Sequence, residues 1–172
     1  MTLDLRDRVR DVPDFPKPGI VFKDLMPLVA DAAYFRATID RLEELARPHR
    51  PDIILGAEAR GFIFGGALAD RLHCGFVPAR KPGKLPWKTV EATYDLEYGT
   101  DSLQVHADAI REGTRVIVHD DVLATGGTAK AKTELVEALG GEVVGLLFVV
   151  ELTFLNGRDK LAGYDVESLI TY

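Results

Sequence analysis

Short, continuous apolar runs along this chain alternate with longer stretches in which hydrophobic residues return every three or four positions. Residues 53–56 (Ile-Ile-Leu-Gly), 75–79, 116–118 (Val-Ile-Val) and 143–150 are of the first kind. Runs of this length, apolar on both faces, predict strands buried on both sides. From Asp31 the period changes: Phe35, Ile39, Leu42 and Leu45 form one stripe of a helix that Pro48 ends. Residues 60–72 predict a second helix packed through Gly65, Gly66 and Ala67, and residues 128–139 a third. The third turns Ala131, Leu135, Ala138 and Leu139 inward and stops at Gly140-Gly141. Buried strands alternating with helices call for an α/β fold, a central, mainly parallel sheet flanked by helices. A short element near Leu169 closes the chain.

Three stretches break this rhythm. Residues 3–10 are charged, with Leu5 and Val9 at helical spacing, and predict a short helix. Residues 12–28 carry Pro13, Pro16, Pro18, Gly19 and Pro27, so they form neither a regular helix nor an internal strand. A loop-rich cap around Ile20-Val21-Phe22 is expected there. Residues 81–93 hold Pro82, Gly83, Pro86 and three lysines with little periodicity, which predicts a long mobile loop, and residues 94–105 alternate as a hairpin does. No repeat, low-complexity tract or linker interrupts the pattern, so residues 1–172 are expected to form a single domain.

Composition narrows the function. The 172 residues are 47% hydrophobic, enough for one full core. A net charge of -6 argues against a general nucleic-acid or membrane-surface binder. A polyanionic substrate would therefore need local Lys and Arg clusters to reverse the field. Cys74 is the only cysteine, which rules out an intrachain disulfide or a CxxC site and suits a small buried apolar residue. The longest apolar run, 143–150, is too short to cross a bilayer, and Met1-Thr2-Leu3-Asp4 begins no signal peptide, so a cytoplasmic location is expected.

The densest chemistry lies at residues 115–128, Arg-Val-Ile-Val-His-Asp-Asp-Val-Leu-Ala-Thr-Gly-Gly-Thr. An apolar strand is expected to end at Asp120 and Asp121, followed by a short turn that opens a helix. The turn Ala124-Thr125-Gly126-Gly127-Thr128 can wrap backbone N–H groups around a phosphate, with the helix dipole behind it. The carboxylates beside it suit sugar hydroxyls, a developing cation or a metal. A phosphate on one side and a hydroxyl-rich cationic centre on the other describe a ribose 5-phosphate attacked at its anomeric carbon. His119 reads as structural, and His49, His73 and His106 fit no triad or metal spacing. No Walker A sequence is present, and no GxGxxG follows a strand.

This segment resembles the phosphoribosyl pyrophosphate (PRPP) signature of the type I phosphoribosyltransferases. Four further segments precede it in order: Asp14-Phe15-Pro16-Lys17-Pro18-Gly19-Ile20-Val21-Phe22-Lys23-Asp24, Gly56-Ala57-Glu58-Ala59-Arg60-Gly61-Phe62, Arg80-Lys81-Pro82-Gly83-Lys84-Leu85-Pro86 and Tyr94-Asp95-Leu96-Glu97-Tyr98-Gly99. Together they resemble the adenine phosphoribosyltransferase family, bacterial type, over nearly the whole chain. The resemblance implies the type I phosphoribosyltransferase fold, with a small N-terminal base-binding hood over residues 1–30 and a flexible lid at 81–93. It also implies the conversion of adenine and PRPP to AMP and pyrophosphate in purine salvage. Mg²⁺ would be carried by PRPP with no direct protein ligand, and a homodimer is implied, with no nucleic-acid or membrane partner.

Site roles follow from the same resemblance. Asp120 and Asp121 hold the ribose hydroxyls near the positive charge, and Ala124, Thr125, Gly126, Gly127 and Thr128 bind the 5-phosphate. Arg60 binds pyrophosphate, assisted by Arg80, Lys81 and Lys84, with Arg80 acting in the neighbouring subunit's site. A cis peptide is expected between Glu58 and Ala59. Adenine stacks on Phe22 while the backbone of Val21 and Lys23 reads its edge. A fixed C=O and N–H pair would reject 6-oxopurines, which present the reverse pattern. Glu97 is the candidate to hold the proton at ring nitrogen 7, and Tyr98 shapes its loop. Trp87 departs from the polar residue more usual in the family's loop. Two rivals remain: a phosphoribosyltransferase for another base, against which residues 15–23 argue, and a PRPP-sensing regulator, which would need a DNA-binding module.

Overall fold

The computed structural model describes residues 3–96 and 99–172. The chain divides into two compact units, Met1–Arg41 and Leu42–Tyr172. The N-terminal unit is thus longer than the hood of residues 1–30 expected from sequence, and the division falls inside a helix.

In the first unit the predicted helix over residues 3–10 is only a single 3-10 turn, Leu5–Arg8, capped by the Asp4 carboxylate, which accepts from the Arg6 N–H at 3.0 Å. From Arg10 the chain is extended. Strand β1 (Arg10–Pro13) pairs antiparallel with β2 (Val21–Asp24). The prolines occupy places where a missing N–H does no harm: Pro13 ends β1, and Pro27 lies in the first turn of α1 (Met26–Ala30). Residues 12–28 therefore contain a two-stranded ribbon as well as the expected loop. Helix α2 (Ala32–Ala46) follows, and Pro48 lies in the 3-10 turn Arg47–His49 that succeeds it.

The second unit runs β3 (Ile53–Ala57), α3 (Arg60–Leu72), β4 (Gly75–Ala79), β5 (Thr89–Asp95), β6 (Thr100–His106), β7 (Arg115–Leu123), α4 (Gly127–Ala138), β8 (Glu142–Glu151) and β9 (Val166–Thr171). Five strands form one sheet in the order β4-β3-β7-β8-β9, with every pair parallel. Side chains alternate between its faces. Leu55, Val116, Val118 and Phe148 share one core with Ala129, Ala131, Leu135 and Val136 of α4 and with Leu103 and Val105 of the β5–β6 hairpin. The opposite parity carries His119 toward α3, whose Phe64 ring lies edge-on 6.3 Å away. The chain leaves β3 toward β4 on one side, while β7 adds on the other. That reversal opens a crevice beyond the C-terminal ends of β3 and β7, where ligands of open α/β sheets bind.

Two expectations need correction here. The loop predicted over 81–93 ends at residue 88, because residues 89–95 pair in full with 106–100. Val90, Ala92 and Tyr94 alternate toward the core, a period-two signal that the neighbouring Pro and Gly residues obscured. Strand β7 also does not end at the acidic pair. Asp120 pairs with Phe148, and Val122 with Val150, so the backbone stays in the ladder as far as Leu123.

Candidate active site

Because β7 continues through the acidic pair, its two carboxylates take different cations while staying close enough to interact with one another. Asp120 shares the parity of Val116 and Val118 and meets α4, where the Lys132 Nζ donates to its Oδ2 at 2.7 Å. Asp121 shares the parity of His119 and meets the first residue of α3, Arg60, with which it forms an ion pair. Burial pushes the Asp121 carboxyl above its ordinary range, the neighbouring Asp120 charge adds to that rise, and the Arg60 guanidinium opposes it. The glycine-rich turn follows directly. Gly126 takes a positive φ of 82° and stands as the N-cap of α4 without a side-chain cap. The first amides of a helix have no intrahelical acceptor, so this terminus is an anion site by construction. Thr125 is exposed beside it, and Gly126 and Gly127 are buried.

The cations expected for pyrophosphate stand on the neighbouring loops, each already engaged with a carboxylate. The Glu58–Ala59 peptide is cis, as expected, and leads into Arg60. Glu58 accepts from Lys84 Nζ at 3.0 Å, from Arg80 Nη2 at 3.4 Å and from the Lys81 N–H. Burial alone would raise the Glu58 carboxyl, but the Lys81 N–H and the Lys84 and Arg80 charges outweigh it and hold the group below its ordinary value. Lys81 Nζ is shared between Asp101 and the Tyr94 hydroxyl. Arg80 and Lys84 thus converge on Glu58, whose charge offsets their mutual repulsion, while Asp101 and Asp121 balance Lys81 and Arg60.

The remaining candidates belong to the first unit or to residues outside those described. In the first unit Val21 is exposed, Phe22 is half-buried and edge-on to Phe15 at 5.2 Å, and Lys23 Nζ donates to Asp11 at 2.7 Å. Glu97 and Tyr98 lie outside the described residues. Among the described residues one group has the spacing of metal ligands, His49 with Asp165 and Glu167. His49 precedes β3 and Asp165 precedes β9, so this group sits at the N-terminal end of the sheet, opposite the acidic pair.

His119 is wholly buried, and its pKa is lowered to about 4 by burial and by the Lys132 charge, against the pull of Asp121. It is neutral at pH 7, as a structural residue should be. An unfolded histidine takes up its proton near 6.5, so between about pH 6.5 and 4 the unfolded chain binds more protons. Stability is therefore present above that window and lost as pH falls through it, by about 3 kcal/mol at most. Denaturant unfolding at pH 7 and pH 4.5 should show a shallower pH dependence for His119→Val than for the wild type. Equal slopes would remove His119 as the cause.

Three residues of this site were not singled out in the sequence. Lys132 has no exposed side-chain surface, and its place in the stripe Ala129-Lys132-Val136 carried that signal. Gly157 is buried, and a Cβ there would overlap the backbone oxygen of Ala124. Glu58, which gathers the basic residues, was read only as part of a turn.

A family model for the phosphoribosyl transferase domain matches residues 32–168. The chain is 59% identical over 169 residues to the adenine phosphoribosyltransferase of Rubrobacter xylanophilus, a match covering 98% of this chain and 91% of that protein. The crystal structure of adenine phosphoribosyltransferase from Thermoanaerobacter pseudethanolicus superposes with a TM-score of 0.96 at 54% identity, covering 98% of each chain. That of Saccharomyces cerevisiae, complexed with adenine and an imino-altritol bisphosphate, superposes with a TM-score of 0.90 at 43% identity, covering 96% of each chain. With this similarity running the length of the chain, and with a parallel sheet whose β7 leads from an acidic pair into an uncapped helix, the chain belongs to the adenine phosphoribosyltransferase family.

Proposed function

We propose that the chain transfers the 5-phosphoribosyl group of PRPP to adenine, giving AMP and pyrophosphate in purine salvage, at the C-terminal ends of β3 and β7. The observation that carries this reading is the adjacent pair of carboxylates near the C-terminal end of β7, directly before the uncapped N-terminus of α4. Departure of pyrophosphate leaves an oxocarbenium-like ribose, which is stabilised by charge placed in advance. Asp120 and Asp121 hold the ribose hydroxyls and face that cation. Ala124, Thr125, Gly126, Gly127 and Thr128 bind the 5-phosphate, and Arg60, Lys81 and Lys84 exchange their present carboxylates for pyrophosphate oxygens. Mg²⁺ travels on PRPP and neutralises the leaving pyrophosphate. Arg80 serves the neighbouring subunit's site in a homodimer. Adenine is held by Phe22 with the backbone of Val21 and Lys23, and Glu97 keeps the proton at ring nitrogen 7. A cytoplasmic location is part of this proposal; among the described residues no helix is long and apolar enough to cross a membrane.

The yeast relative's crystals hold adenine, which favours this base over 6-oxopurines. Steady-state rates with PRPP and adenine, hypoxanthine, guanine or xanthine test the reading. A kcat/KM for adenine about 10³-fold above the others is expected, because a wrong purine leaves buried polar groups unpaired. Comparable rates with hypoxanthine would overturn the choice of base.

With residues 89–95 in β5, we propose residues 81–88 as the lid. Pro82, Gly83 and Pro86 keep it from pairing, and Trp87 stands 64% exposed at its end. Closing over PRPP, the segment would exclude water that otherwise captures the ribose cation. Shortening it while keeping β5 intact should slow AMP formation and raise the share of PRPP lost as ribose 5-phosphate. Thermal stability should stay almost unchanged, since the segment buries little apolar surface. Wild-type values for both rate and hydrolysis ratio would end the lid hypothesis.

A further inference from the structure

A lysine with no exposed side-chain surface lies directly beneath the acidic pair. Lys132 stands in the second turn of α4, and its Nζ donates to Asp120 Oδ2 at 2.7 Å and to the His119 backbone oxygen at 2.8 Å. The other Asp120 oxygen accepts the Asp121 N–H at 3.0 Å and lies against Gly61, where a Cβ would come within 2.9 Å of it. Asp120 is therefore fixed from three sides. Asp121 is held differently, by Arg60, whose side chain is 46% exposed and belongs to another helix.

We propose that Lys132 and Asp120 act as one neutral unit beneath the ribose: Lys132 positions Asp120, and Asp120 screens Lys132 from the cationic sugar. Asp121 is then the net negative charge at the reacting carbon once Arg60 turns to pyrophosphate. The inference rests on the reading of the acidic pair given above. It follows from two features of the geometry. The helix that opens at the phosphate turn also carries the cation that clamps Asp120, so Lys132 ties the phosphate site to the ribose site. A buried ammonium beside an oxocarbenium centre would also oppose its formation strongly in a weakly screening interior unless a carboxylate stood between them.

The charge arrangement gives a prediction with a definite sign. Asp120→Asn should lower kcat by about 100-fold, since it removes a carboxylate and also bares Lys132. Lys132→Met should lower kcat about tenfold by freeing Asp120, with PRPP affinity within threefold of wild type. The double variant Asp120→Asn with Lys132→Met should recover about tenfold over Asp120→Asn alone, because the exposed positive charge goes with it. A lysine with a merely structural role would make the double variant slower than the single.

Steady-state kinetics and PRPP titration of the three variants decide the matter. A double variant at or below the rate of Asp120→Asn overturns the proposal. Wild-type turnover in Asp120→Asn would instead remove the acidic-pair reading, whatever Lys132 does. Should Lys132→Met fail to fold alone, the comparison of Asp120→Asn with the double variant still stands, because the double variant buries neither charge. Lys132→Gln in the same background, which keeps a donor for the His119 oxygen, repeats that comparison.

Discussion

Replacing both Asp120 and Asp121 by Asn is expected to lower kcat by about 10⁴-fold while PRPP affinity changes by less than tenfold. Asparagine keeps the size of the side chain and an oxygen that accepts from a ribose hydroxyl, so ground-state binding survives. What disappears is negative charge, and charge matters most when the ribose becomes cationic. A single unit charge about 5 Å from the reacting carbon, in surroundings of intermediate screening, is worth about 3 kcal/mol, or roughly 100-fold. In the double replacement the two losses multiply, and the loss at Asp120 includes the carboxylate that neutralises Lys132. Arg60 loses its partner as well and is left for pyrophosphate alone, which protects the affinity. Single-turnover kinetics separate the chemical step from binding, and titration measures the binding. Equal losses in the two would show that the carboxylates hold PRPP rather than stabilise its transition state.

The same pair of residues shows how far the sequence could be read. The order of strand, acids, glycine turn and helix was legible because each part has its own chemistry and period. The end of β7 was not legible, because adjacent aspartates look like a strand terminus until two helices are seen to deliver a cation to each carboxylate. Lys132 was hidden for a related reason. A lysine is ordinarily on the solvent side of a helix, and only the Asp120 carboxylate across the interface makes the buried position tolerable. The lid boundary was misplaced where Thr89 to Thr93 alternate weakly behind two prolines, since pairing with β6, not local propensity, extends the strand. Gly157 carried no local signal at all. Its need for a missing side chain arises from a loop more than thirty positions earlier in the chain.

That distant contact gives the second large effect, a Gly157→Ala variant in which PRPP binds about 30-fold more weakly or worse. A methyl group at residue 157 would overlap the backbone oxygen of Ala124, and the Gly157 oxygen in turn occupies the space beside Gly126. Neither atom is the end of a flexible side chain, so the backbone must move. The segment holding Gly157 cannot easily give way. Arg158 beside it donates to both oxygens of Glu151, at 2.7 and 2.8 Å, and to the Val166 oxygen at 2.7 Å. Ser168 adds a bond to Glu151 at 2.6 Å, and the Arg158 hydrogen bond holds the Glu151 carboxyl below its ordinary value against the effect of burial. The phosphate turn must therefore yield, and with it the amides at the start of α4. Overpacking of this kind lowers stability by about 1–3 kcal/mol. The functional loss should be separable from that: the KM for PRPP rises about 30-fold or more, equivalent to about 2 kcal/mol, while the KM for adenine holds. Gly163→Ala is the control, because Gly163 has a positive φ of 93° but open space around the missing side chain. It should be destabilised by about 1 kcal/mol with the KM for PRPP intact. A Gly157→Ala enzyme that is destabilised yet binds PRPP within twofold of the wild type would show that the turn keeps its shape without this contact.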